Sequence, residues 1–330
     1  MNGYTAFARS TRQPPRTRPR VISALIIACA TGVYYWWGVL HASPYLGGDF
    51  ELNWIAARAV MAGQDPFAVV AASGWAWPLY YPMPAQLIAM TFSWLPFVPA
   101  ECLFVGVSAG VLAFGMTRHA WWGLLVFLTP SFLHAYFHAQ WSPLLTGAML
   151  LPVLGGLLAA KPSTGLAYFF SRPSWKGALG AAGLIVASFA VRPGWVGEWL
   201  GAISGANAIV APITRPGGFL LLMALPFWRR ADARLLIGLA LVPHRTLFYE
   251  TLPLFTVPRT FRQMAILVIF ATLAATWLLA IPSVATDELS AMKQAWPVLL
   301  ICTYLPALVM ALWNARTDTA QNTHLRLELR

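Results

Sequence analysis

The sequence predicts an all-α, polytopic integral membrane protein, and three observations lead there. Apolar and aromatic residues make up 58% of the 330-residue chain and charged residues only 10%, whereas an ordinary soluble domain carries about 25% charged residues. Apolar runs recur along the chain, and since a span takes about 20 residues there is room for about ten transmembrane helices. The net charge of +11 sits between those runs and not within them, so it reads as membrane orientation and not as a nucleic-acid surface. Together these exclude a soluble multidomain enzyme.

Residues 1–20 form a basic tail in which Arg9, Arg12, Arg16, Arg18 and Arg20 stand without an acidic neighbour, which keeps that tail cytoplasmic. A single polytopic membrane domain, residues 21–313, follows. Its first span, Val21 to Leu40, is too long and aromatic for a cleaved signal and is expected to remain as an anchor. Residues 41–80 form the first extracytoplasmic loop. Within it Leu52, Ile55, Ala56, Ala59 and Val60 recur at helical spacing before Gly63, which predicts a short helix along the outer surface.

Farther along, the charges alternate between successive apolar runs: Arg172 and Lys176 inside, Arg192 outside, Arg229 to Arg234 inside, His244 outside, Arg259 and Arg262 inside, Asp287 and Glu288 outside. The tail, residues 314–330, is cytoplasmic again. Fifteen Lys and Arg fall inside and five outside under this assignment, in line with the positive-inside bias. Carried backwards, the alternation puts Gln140 outside and Arg118 inside. Pro78 to Pro99 then has the wrong parity for a full crossing: either it is a re-entrant or interfacial segment, the reading preferred here, or Arg118 lies outside. The chain is thus expected to be a multi-pass protein of the plasma (inner) membrane with both termini cytoplasmic.

Ionisable residues at the rim of an apolar bundle are costly, and each is therefore a functional candidate. Asp49 follows Gly47 and Gly48 just after the first span. At the wet end of an apolar cleft it suits a general base that takes a proton from an acceptor hydroxyl; the other reading is a cap on a helix beginning at Phe50. His244 and Arg245 follow Pro243 at the end of a short apolar run, and Tyr249 and Glu250 open the next. A His and an Arg at one helix end can hold a phosphate by charge-assisted hydrogen bonds, or make an interfacial turn with a local Arg to Glu pair. Lys161, before Pro162, is placed to reach a lipid phosphate or to snorkel. His134 and His138 have a spacing compatible with metal binding, but no third ligand is near in sequence, so neither metal nor other cofactor is expected.

Several short segments, in order, carry a likeness. Gly48-Asp49-Phe50 is followed by Trp54-Ile55-Ala56-Ala57-Arg58-Ala59, by Ala62-Gly63-Gln64-Asp65-Pro66-Phe67 and by Tyr81-Pro82-Met83-Pro84. Ala139-Gln140-Trp141-Ser142, Ala160-Lys161-Pro162, Arg172-Pro173-Ser174-Trp175-Lys176, Pro243-His244 and Tyr249-Glu250 come later. This order resembles the GT-C superfamily, most closely glycosyltransferase family 87, the polyprenol-phosphate-mannose-dependent mannosyltransferases. The resemblance implies a GT-C-like fold and an inverting sugar transfer from a polyprenyl-phosphate donor to a lipid or glycan acceptor at the extracytoplasmic face. It implies Asp49 as the base and His244 as a donor-phosphate contact, with Arg245, Gln140, Lys161, Tyr249 and Glu250 in the donor site. Membrane lipids would surround it, and no nucleic acid is involved.

The chain departs from the family pattern where Gly-Gln has become Ala139-Gln140 and Tyr-Asp has become Tyr249-Glu250. The distance from Gln140 to Lys161 is also too short for the extra hairpin expected there, which would shift Lys161 relative to the cleft. No Gly-rich phosphate loop or dinucleotide-binding pattern is present, which fits a lipid-linked donor better than a nucleotide sugar. The alternatives are a transporter or lipid flippase, or an inactive transferase-like membrane subunit. Transporters usually gather charge near the midplane, whereas these charges gather at the outer rim.

Overall fold

The computed structural model describes residues 15–41, 48–75, 77–204, 209–281 and 288–328. Arg9, Arg12, Gly47, Asp287 and Arg330 lie outside the described residues, as do the side chains of Glu288 and Arg326. Among the described residues every regular element is helical, and the one β-type contact is an isolated bridge between Val210 and His244.

The chain opens with α1 (Thr17–Leu40), then three short helices, α2 (Asp49–Met61), α3 (Pro66–Ala72) and α4 (Met83–Met90), before the long α5 (Phe97–Met116). A block of short pieces follows: a 3₁₀ helix over Trp121–Leu128, α6 (Pro130–Phe137), α7 (Ser142–Leu150), a 3₁₀ helix over Pro152–Ala160, and α8 (Pro162–Ser171). Next come α9 (Trp175–Val191) and α10 (Trp195–Ile203), bent from each other by 99°. A 3₁₀ helix over Gly218–Phe227, α11 (Ala231–Leu241) and a 3₁₀ helix over Phe248–Thr256 lead to α12 (Phe261–Ala280). The last elements are α13 (Glu288–Leu299) and α14 (Leu305–Glu328), joined through a π turn at Leu300–Tyr304.

Among the described residues four helical stretches, α1, α5, α12 and Leu289–Asp318, are long and apolar enough to cross a membrane, or five if α9 and α10 count as one bent span. The expected ten full crossings are therefore not present as ten long helices. Proline is the reason. It occupies the first or second helical position of α3, α4, α6, α7, α8 and Pro152–Ala160, where its missing N–H would have had no helical partner anyway. An apolar run that meets proline restarts as a new short helix. The 3₁₀ pieces recover depth, since they rise about 2.0 Å per residue against about 1.5 Å for an α-helix.

Contacts at the helix ends define two poles. At one, Arg20 donates to Phe114 O (2.6 Å), Arg118 to Leu150 O (3.3 Å) and Ser171 to Ala231 O (2.8 Å), while Arg230 and Arg259 pair with Asp318 (2.6 and 2.8 Å). At the other, Arg192 pairs with Asp65 (3.0 Å), and Lys161 shares a cavity lining with Asp49 and His244. Arg172 and Arg259 thus share the first pole, and Arg192 and His244 the second, as the charge alternation in the sequence requires, and Arg118 joins the first.

Helix α2 does not lie on the outer surface. Phe50 stacks on Phe104 (4.3 Å) and Trp54 meets Phe97 (5.5 Å), so α2 runs antiparallel to the first half of α5 with its Asp49 end the deeper one. Phe50, Leu52, Asn53, Ala56 and Ala57 are buried there. The stretch from Pro78 to Pro99 starts with Tyr81 bonded to Asp49 and ends with Leu95 accepting from Trp54 Nε1 (3.2 Å). It therefore packs along α2, from its Asp49 end to Trp54.

The close contact of α1 with α5 rests on a glycine: a Cβ on Gly106 would fall 2.7 Å from Ala28 O. Small residues of this kind let membrane helices approach backbone to backbone. Gly106→Ala is expected to lower stability by about 1–3 kcal/mol through overpacking. Thermal unfolding of the detergent-solubilised protein measures it, and an unchanged melting temperature would refute the contact.

Candidate active site

The site begins with backbone contacts that carry Asp49 into the bundle. Asp49 N donates to His138 O at the end of α6 (3.3 Å), and a Cβ on Gly48 would come within 2.8 Å of that same carbonyl oxygen. Only glycine fits. Asp49 is the first residue of α2, with Gly48 at the cap position and no side-chain cap bond. The capping reading of Asp49 is thereby corrected. Its carboxylate turns to Tyr81 instead, whose hydroxyl donates to Asp49 Oδ2 at 2.6 Å. Burial and the adjacent Asp49 carboxylate push the Tyr81 phenol well above its usual range, which keeps it a donor. The cap in this loop is Asp65, which accepts from Phe67 N (2.9 Å) and Ala68 N (3.3 Å) ahead of α3.

Asp49, Lys161, His244 and Arg245 line one cavity of about 390 Å³, with walls that include Trp77 and Trp199. Four residues singled out in the sequence, far apart along the chain, therefore face the same space. Lys161 approaches from the start of α8 and forms an ion pair with Glu250, which is 1% exposed. Its ammonium lies over the rings of Tyr249 (5.3 Å) and Tyr81 (5.9 Å). Glu250 and Tyr249 thus stand behind Lys161 and do not line the cavity themselves. A local pair between Arg245 and Glu250 is not what forms. Instead the Arg245 guanidinium lies over Tyr80 (5.2 Å) and Trp77 (5.7 Å), where cation–π attraction and packing fix it. Trp199 of α10 closes this side by donating to Tyr80 O (2.8 Å).

His244 is held at both ring nitrogens. Nδ1 lies 2.9 Å from Val242 O and Nε2 lies 3.2 Å from the Tyr304 hydroxyl. Because a carbonyl only accepts, Nδ1 carries the proton. Burial holds the imidazole below its usual pKa, hence neutral, so Nε2 accepts from Tyr304. In this state no ring N–H remains for a phosphate. Among the described residues the cations that face the cavity are Lys161 and Arg245.

Gln140 does not line the cavity. It is 4% exposed, and its backbone N–H donates to Ala135 O (2.8 Å) at the turn that closes α6. The preceding Ala139 has φ +42°, the one non-glycine residue with positive φ among the described residues. The short distance from Gln140 to Lys161 also has an explanation. Nine α-helical residues of α7 lead away from the cavity and nine 3₁₀ residues of Pro152–Ala160 return, roughly 13 Å out and 18 Å back. That compact return brings Lys161 to the cleft and does not shift it away.

Sequence reasoning left Tyr81, Tyr80, Trp77 and Trp199 out of the site, although the Tyr81-Pro82 pair was a visible signal. It also passed over Glu101, buried near Tyr35 in α5 and outside the cavity lining. Glu101 lies at the start of an apolar run, and its single letter carries no spacing pattern. Comparison with known proteins found no matching family model, no matching curated protein and no matching solved structure.

Breaking a buried ion pair leaves an uncompensated charge. Lys161→Met is expected to destabilise the protein by about 3 kcal/mol or more, and Lys161→Met with Glu250→Gln should recover most of that loss. Thermal unfolding of both variants checks it. Equal melting temperatures for single and double variants would show that the pair contributes nothing.

Proposed function

We propose that this chain is a membrane glycosyltransferase that moves a sugar, mannose by the family resemblance, from a polyprenyl phosphate to a lipid or glycan acceptor with inversion at the sugar. The observation that carries this reading is one carboxylate and two cations, from separate elements, facing a single apolar-walled cavity. An acceptor hydroxyl oxygen attacks C1 of the sugar from the side opposite the phosphate. The C1–O bond breaks, its electron pair leaves with the polyprenyl phosphate, and the hydroxyl proton passes to Asp49. Tyr81 holds one carboxylate oxygen in place. Lys161 and Arg245 balance the phosphate charge, and Glu250, Tyr249, Tyr80 and Trp77 keep those cations aimed. His244, engaged at both nitrogens, acts as a positioning residue beside Arg245.

This reading takes the fold as a GT-C-like bundle of about ten crossings, with the short proline-started helices serving as partial spans. It puts the protein in the plasma membrane with the cavity pole outside. The arginine pole and both termini are then cytoplasmic, by the positive-inside bias.

Asp49→Asn keeps the bond from Tyr81 but cannot accept a proton, so transfer from polyprenyl-phosphate mannose should fall roughly 10²- to 10⁴-fold without loss of the fold. Transfer near the wild-type rate in Asp49→Asn would remove the base role. No transfer by the wild type, with donor bound, would leave a flippase or an inactive transferase-like subunit. Arg245→Ala should weaken donor binding by about 1.5–3 kcal/mol, the loss of a hydrogen bond to a charged group, and donor titration measures it. Reporter fusions at Met1 and Arg330 should both report from the cytoplasm, and an external signal from either would overturn the orientation.

A further inference from the structure

A second cavity, of about 500 Å³, opens at the arginine pole, where the ends of α5, α7, α8 and Phe248–Thr256 meet the start of α11. It takes no part in the sugar-transfer reading. Arg172, Arg259, His119 and Asp232 give it polar groups, and Met116 and Phe255 are among its apolar walls.

Among the described residues the charges around it do not balance. Arg118, Arg172, Arg230, Arg234 and Arg259 gather about two carboxylates, Asp232 and Asp318. Most of these arginines are satisfied within the protein. Arg118 donates to Leu150 O, Arg234 to Ser171 O and Arg229 O, and Arg230 and Arg259 pair with Asp318. Arg172 differs, because its Nε is buried without a hydrogen-bond partner. Burial and then Arg118 act against its charge, with Arg234 and Arg259 adding to the repulsion and Asp232 opposing it. Burial and the Arg118, Arg172 and Arg20 charges also hold the His119 imidazole below its usual range, so that it lines the cavity as a neutral group. Collecting so many like charges around a partly apolar cavity is costly unless an anion shares them.

We infer that this cavity binds a phosphate group, with the Arg172 guanidinium as its main contact and Arg259 as the second. Arginine's planar fork suits a phosphate through paired charge-assisted hydrogen bonds. Basic pockets between membrane helices on the cytoplasmic side accept anionic lipid headgroups, and Met116 and Phe255 offer apolar surface to the glycerol and upper acyl chain. An anionic phospholipid and free phosphate share this chemistry, so the test separates them.

The full chain in detergent is titrated with phosphatidylglycerol, with phosphatidylcholine and with inorganic phosphate, reading the melting temperature and, by native mass spectrometry, the lipid retained. Phosphatidylglycerol is expected to raise the melting temperature and to remain bound where phosphatidylcholine does not. Arg172→Gln and Arg259→Gln should each weaken that binding about tenfold or more, while Arg192→Gln at the opposite pole leaves it intact. Arg172→Lys, which keeps the charge but not the fork, should fold if Arg172→Gln does not, and should also bind more weakly. A rise with inorganic phosphate alone, lost in the same variants, would keep the site and assign it to a soluble phosphate. No rise with either probe, or binding that survives both Arg172→Gln and Arg259→Gln, overturns the inference.

Discussion

A charged carboxylate buried in an apolar bundle is costly without a countercharge, and the pairing of Glu250 with Lys161 organises the site. Glu250 is 1% exposed and belongs to the C-terminal half of the chain, whereas Lys161 stands just before α8 in the middle. Leaving either alone would strand a charge at a cost of several kcal/mol, so the two halves are drawn together at one point. Around that point Tyr249 and Tyr81 close on the ammonium, and Tyr81 in turn holds Asp49. A continuous line of polar contacts thus runs from a C-terminal element through the middle of the chain to the loop after α1. The cavity is the space beside that line.

Much of this was legible because charge in a membrane protein is rare and placed. The alternation of Arg172, Arg192 and Arg259 divided the chain between two poles, and the structure keeps that grouping and adds Arg118, left open by the sequence, to the arginine pole. The same scarcity made Asp49, Lys161, His244 and Arg245 stand out, and they line one cavity. What could not be read was direction. Nothing in the letters of α2 says that its Asp49 end is buried against Phe104 while its other end points outward. Nothing around Pro243 says that both nitrogens of His244 are taken, since Tyr304 lies 60 residues away. Arg245 looked like a partner for Glu250 because they are close in sequence, but the aromatic rings of Tyr80 and Trp77 come from a loop far upstream.

Hydropathy misjudged the helices for a related reason. An apolar run reports only that a segment avoids water, and it does not report the helix type or where proline restarts it. Between Trp121 and Ser171 the chain is apolar almost throughout, yet it folds as five short pieces, two of them 3₁₀. Those pieces turn back within the distance of one ordinary span, which is how Lys161 returns to the cleft so soon after Gln140. The two poles that result are chemically unlike. Among the described residues, one has carboxylates and cations beside aromatic rings, and the other has arginines in excess over aspartates.

Ala139 has a consequence for the stiffness of the site. A left-handed conformation costs an L-residue roughly 1–2 kcal/mol, and this strain sits one residue beyond the carbonyl that receives the Asp49 N–H. Glycine would remove the strain but would also free the backbone to sample many more conformations. With alanine the turn has few alternatives to visit, so the His138 carbonyl is a firmer anchor for Asp49 at the expense of local stability. Alanine at this turn therefore exchanges relaxed geometry for rigidity directly beneath the carboxylate.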